Sequence, residues 1–121
     1  MKFANIIFWI AGIWGVLVLT PLYFMFDLIG QKDPPPITHP AFYYGFVSVG
    51  LAFQFAFFVI ARDPVRFRPM MIPSVIEKFG AGASFAVLYL QHRLTPGDLA
   101  LGCVDVVFGV LFLTAFFKTS N

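Results

Sequence analysis

The sequence predicts an all-α fold, an integral membrane four-helix bundle with both termini cytoplasmic. Three observations predict it. The 121 residues are 60% hydrophobic and only 12% charged, with mean hydropathy +0.85, whereas soluble domains carry about 25% charged residues. The apolar residues gather into four runs, each near the roughly 20 residues that cross a bilayer as a helix. The basic residues lie mostly on one side of those runs. A chain of this length fits one domain. Residues 1–121 are read as a single transmembrane domain with helices at about 5–26, 41–61, 70–92 and 98–117.

The first run, "NIIFWIAGIWGVLVLTPLYFMF", follows Lys2 and has the polarity of a signal peptide. It is longer than the 7–15 residues of a signal-peptide core, and no small-residue cleavage site follows it. It is therefore read as a retained helix. The second run is "AFYYGFVSVGLAFQFAFFVIA" and the fourth "LALGCVDVVFGVLFLTAFF". The third, "PSVIEKFGAGASFAVLYL", is the weakest, because Glu77 and Lys78 interrupt it.

An even number of spans places both termini and the middle connection on one side. That side carries Lys2, Arg62, Arg66, Arg68 and Lys118, with Lys78 just inside; the other carries Lys32 and Arg93. Short connections rich in Lys and Arg stay in the cytoplasm. Arg62, Arg66 and Arg68 are accordingly expected to anchor the bundle at anionic headgroups. Tyr23, Tyr43, Tyr44 and Tyr89 all fall at the opposite ends of their helices, where phenol hydroxyls reach water.

The connections are short. "GQKDPPPITHP" is too rich in proline to be helical and reads as a stiff strap, either a spacer or a lid over an outward cavity. In "QHRLTPGD", Thr95 or Asp98 can cap the last helix. In "RDPVRFRPMMIP", Pro69 or Pro73 can be the first residue of the third helix; a start at Pro69 would put a bend at Pro73.

Ionisable groups within a span are expected to face the bundle interior and to have a partner. Gln54, Glu77, Lys78 and Asp105 are the candidates. Measured from Pro73, Glu77 and Lys78 lie roughly 6–8 Å inside the cytoplasmic face, in the layer of Gln54. Asp105 lies about 10 Å from the outer face; its candidate countercharge is Lys78, roughly 11 Å away along the bundle axis, a gap that a long lysine closes in part and water or Gln54 can bridge. Glu77, Lys78 and Gln54 then form either a satisfied polar network, with Lys78 snorkelling to the inner interface, or a ligand or proton site. Ser84 shares a helix face with Glu77 and belongs to "GAGAS", a small-residue run that permits close packing or lines a cavity. Asp105 sits between Gly102 and Gly109, which leave room for a helix or a ligand.

Other chemistries find no support. Cys103 is the one cysteine, so neither an intrachain disulfide nor a multi-cysteine metal site is available. His39 and His92, with Asp33 or Asp98, lack metal-ligand spacing, and no nucleotide, haem or nucleophile-elbow motif is present. A net charge of +2 does not point to nucleic acid. No catalytic residue is assigned.

"ARDPVRFRPMMIPSVIEKFG" and "LGCVDVVFGVLFLTAF", together with the length and the four spans, resemble the DoxX-like group of small four-helix bacterial membrane proteins. That resemblance implies the bacterial inner membrane and an association with quinone-coupled redox systems. Three functions follow as expectations. The first is a polar intrabundle pocket for a lipid, a quinone or another apolar molecule, built on Asp105, Glu77, Lys78, Gln54 and Ser84. The second is a non-catalytic accessory subunit of a larger membrane complex, or a homo-oligomer, assembled through "GAGAS". The third is a sterol-isomerase-like enzyme, ranked last because the estimated depths separate Glu77 from Asp105.

Overall fold

A computed structural model describes residues 2–119 and is helical, with no strand among them. The helices are α1 (Lys2–Leu19), α2 (Phe26–Lys32), α3 (Pro40–Arg62), α4 (Met71–Leu90) and α5 (Pro96–Lys118). Four 23-residue segments, Lys2–Phe24, Pro40–Arg62, Arg68–Leu90 and Pro96–Lys118, are long and apolar enough to cross a membrane. The chain is thus a small multi-pass membrane protein by the length and composition of its helices.

The prolines shape the helix ends. α1 begins at Lys2, earlier than the sequence suggests, and gives way to a 3-10 turn over Thr20–Phe24. Pro21 lacks the donor that would continue the α-helical ladder. Contrary to expectation, the start of the proline-rich strap is helical: α2 runs through Gly30 and Gln31 to Lys32 before the prolines end it. α4 follows a 3-10 turn at Arg68–Met70, so Pro69 sits outside it and Pro73 is its third residue. The first four N–H groups of a helix have no intrahelical partner, so Pro73 loses no bond there. At α5 the cap is Thr95, whose Oγ1 accepts from the Asp98 N–H at 3.2 Å.

The long helices pack as two antiparallel pairs, α1 with α3 and α4 with α5. Glycines set both seams. Gly12 accommodates the Phe58 ring and Gly50 the Leu19 side chain between α1 and α3. Between α4 and α5, Gly102 lies under Phe85, Gly109 under Phe79, and Gly82 against Val106. Lipid tails are as apolar as leucine, so close packing rather than water exclusion holds such seams together.

The two pairs join mainly at the end that carries the termini. There Phe8 stacks on Phe112 with centroids 4.2 Å apart, and Phe57 meets both rings edge-on, at 6.0 Å and 5.0 Å. Each such aromatic pair contributes about 0.5–1.5 kcal/mol beyond its buried area. Basic side chains lash the same end. Arg68 lies 3.7 Å over the Phe116 ring and donates to the Phe116 carbonyl at 2.9 Å, while Lys118 lies 4.5 Å over Phe3. Asn5 Nδ2 donates to the Ala61 carbonyl. In the other half the buried core thins out, α3 and α4 barely touch, and the pairs part around a cleft.

Candidate functional site

The cleft has a volume of about 310 Å³, with walls from α1, α3, α4 and α5 and end residues Leu22 and Ile29. Its walls are chiefly apolar, with Trp14, Val18, Phe46 and Phe85 among them. The polar groups are Gln54, Glu77, Lys78 and Asp105, with Asp98 and Tyr43 nearer the end away from the termini.

Lys78 organises the polar cluster. It is 3% exposed, and its Nζ donates to Asp105 Oδ1 at 3.2 Å. Glu77 Oε2 lies 3.7 Å from the same nitrogen, near enough for charge attraction but without a hydrogen bond. The Phe57 and Phe108 rings approach Nζ at 5.3 Å and 5.6 Å from below, within range of a cation–π attraction. One ammonium is thus held between two carboxylates and two aromatic faces. The carboxylate side chains keep 28% and 23% exposure, towards the cleft.

Three sequence expectations are corrected here. Lys78 does not snorkel to the interface, and no axial gap of about 11 Å separates it from Asp105. Depths counted from Pro73 place Lys78 too shallow, because the apolar segment starts at Arg68. Lys78 and Asp105 each stand near the middle of a 23-residue span, where a lysine side chain closes the small remaining offset. The separation of Glu77 from Asp105 also disappears, since both acids flank one ammonium.

Gln54 departs from the expected network. It is 2% exposed, and its Nε2 donates to the Gly50 carbonyl one turn back at 2.8 Å. Its Oε1 has no donor and occupies the place where a Cβ on Gly15 would stand. Reversing the amide would set its oxygen against the Gly50 carbonyl, so that hydrogen bond fixes the assignment. Gln54 shares the cleft with Lys78 and Glu77 but does not hydrogen-bond to either.

Ser84 stands apart from this cluster. It is exposed, outside the cleft lining, and bonds the Gly80 carbonyl at 2.8 Å. "GAGAS" therefore divides: Gly82 packs on α5, Ala81 lines the cleft, and Gly80, Ala83 and Ser84 face outward. Arg62 and Arg66 border a separate pocket with Asp63, and Arg68 is tied to Phe116. In the sequence Asp98 stands out as a capping candidate and as a metal ligand lacking the right spacing, not as part of the cleft. Its spacing of seven from Asp105, two turns along one helix face, is the signal that places both on the cleft side of α5. Among the described residues no group of His, Cys, Asp and Glu could hold a metal ion. No family model, curated protein or solved structure significantly matches the chain.

Proposed function

We propose that this is a bacterial inner-membrane protein whose cleft takes a lipid, a quinone or another apolar small molecule with a polar end. The observation that carries the reading is a buried lysine shared by two carboxylates at the floor of an apolar-walled cleft. Ionisable groups within a membrane span are costly and mark functional positions. The volume stands at the lower end of the roughly 300–1,000 Å³ typical of ligand pockets.

Native mass spectrometry of protein released from gentle detergent tests the reading. A defined small-molecule adduct is expected on the wild-type chain. It should be lost from Ala81→Phe, which fills the cleft from α4. An adduct retained by Ala81→Phe would show binding elsewhere.

Both termini and the Arg62–Arg68 loop are assigned to the cytoplasm, on the positive-inside bias. Replacing Arg62, Arg66 and Arg68 together with glutamine is expected to give mixed or inverted insertion in a reporter-fusion assay. Glu77→Leu or Lys78→Leu should leave orientation unchanged. Inversion by either leucine variant alone would mean that the topological signal extends into α4.

A further inference from the structure

The hydrogen-bonding inventory of the cleft says which polar end it suits. Two buried acceptors along it have no donor, Glu77 Oε2 and Gln54 Oε1. The Lys78 ammonium donates one hydrogen to Asp105 and lies 3.7 Å from Glu77 Oε2, so its single charge is drawn on by two carboxylates. Charge counts the same way, because Glu77 and Asp105 face a single lysine at the floor. Asp98 adds a third carboxylate on the same side of α5, nearer the end away from the termini. A quinone, which offers only acceptors, would leave both orphan oxygens unmet, and an anionic headgroup would meet three carboxylates. Unmet buried acceptors are costly.

From this inventory we propose that the cleft binds an amphiphile carrying a primary ammonium group. The ammonium lies beside Glu77 and Gln54, and the apolar body runs along Trp14, Phe46 and Phe85. Its hydrogens donate to the Glu77 carboxylate and, once the Gln54 amide turns from Gly15 towards the cleft, to Gln54 Oε1, and its charge offsets the excess carboxylate. The exposed rims of Trp14 and Phe46 leave a path for the tail, and aromatic faces attract a passing cation. The same chemistry is found in a free long-chain amine and in an ethanolamine lipid headgroup. The proposal rests on the reading of the cleft as a binding site and narrows it.

The test uses the full chain in a neutral detergent, with probes matched in their apolar parts. Dodecylamine, dodecanol, dodecanoate, decylubiquinone and a short-chain phosphatidylethanolamine are titrated against tryptophan fluorescence, which Trp14 reports from the cleft wall. Dodecylamine is expected to bind about tenfold or more tighter than dodecanol, dodecanoate or the quinone, an advantage corresponding to one charge-assisted contact. Glu77→Gln should remove most of that advantage, read as the ratio of dodecylamine to dodecanol affinity, with circular dichroism confirming that the variant is folded. Gln54→Leu should weaken the amine in the same direction. Phosphatidylethanolamine binding as tightly as the amine identifies a lipid headgroup as the source and supports the proposal. If dodecanol or the quinone equals dodecylamine, the ammonium proposal falls while the cleft survives as a binding site. If no probe binds, or Ala81→Phe binds them all unchanged, both readings fall.

Discussion

Replacing Lys78 with methionine is expected to destabilise the bundle by about 3–5 kcal/mol, because removing one partner of a buried ion pair leaves the other charge uncompensated. The side chain is nearly isosteric, so the loss reports the ammonium rather than a void. Lys78 is held by Asp105 at 3.2 Å, with Glu77 at 3.7 Å and the Phe57 and Phe108 rings below. Without the ammonium, two carboxylates face each other across an apolar cleft. Asp105→Asn in the Lys78→Met background should recover part of the loss, with a coupling energy of about 0.5–3 kcal/mol between the two sites. Denaturant or thermal unfolding in detergent, followed by circular dichroism, measures all four members of that cycle. Strictly additive effects would show that the two side chains do not interact.

The second large effect is expected at a glycine. Gly82→Val should destabilise by about 1–3 kcal/mol, the range for overpacking a close contact. A Cβ at that position would run into Val106 and stand 3.3 Å from the Gly102 carbonyl oxygen. Val106 can rotate, but a backbone carbonyl within α5 cannot move without the helix. Gly80→Val, two residues earlier on the same helix, is the control. A Cβ there meets nothing within 4 Å, so the change should stay within about 0.5 kcal/mol. Equal effects at the two positions would mean that helix propensity, not the α4–α5 seam, governs both.

That pair of glycines shows what the sequence could and could not convey. "GAGAS" reads as a place where something comes close, and something does. Which of its members meets the neighbouring helix depends on the rotation of α4, and a run of small residues does not set that rotation. Ser84 was drawn into the candidate site by its spacing from Glu77, yet it points outward and bonds its own helix. The spans themselves were legible because hydropathy and length act locally. The ends were less so: α1 reaches back to Lys2, and α2 forms where prolines downstream suggested only a strap.

Lys78 was legible as the candidate countercharge of Asp105, and only the closeness of their contact was missed. Each depth was counted from an assumed helix end, and Pro73 looked like a start. It is the third residue of α4, where a missing N–H costs nothing. A shift of a few residues, at about 1.5 Å each, together with the reach of a lysine, turns an apparent gap into a contact. Gln54 lines the same cleft as Glu77 and Lys78, but its partners follow from the packing of α1 against α3 through Gly15. No local pattern in the sequence encodes that packing.

The central claim is that α4 and α5 meet through an ion pair at the floor of the cleft. Solid-state NMR dipolar recoupling in lipid tests it most directly, using protein labelled with 15N at lysine Nζ and 13C at the carboxyl carbons of aspartate and glutamate. Glu77 is the chain's one glutamate, so its carboxyl signal needs no further assignment. The account predicts strong dephasing of one aspartate carboxyl by a lysine nitrogen, lost in Asp105→Asn, with weaker dephasing of Glu77 that disappears in Lys78→Met. An aspartate signal that shows no dephasing, or that is unchanged in Asp105→Asn, would contradict the pair and the cleft floor built on it.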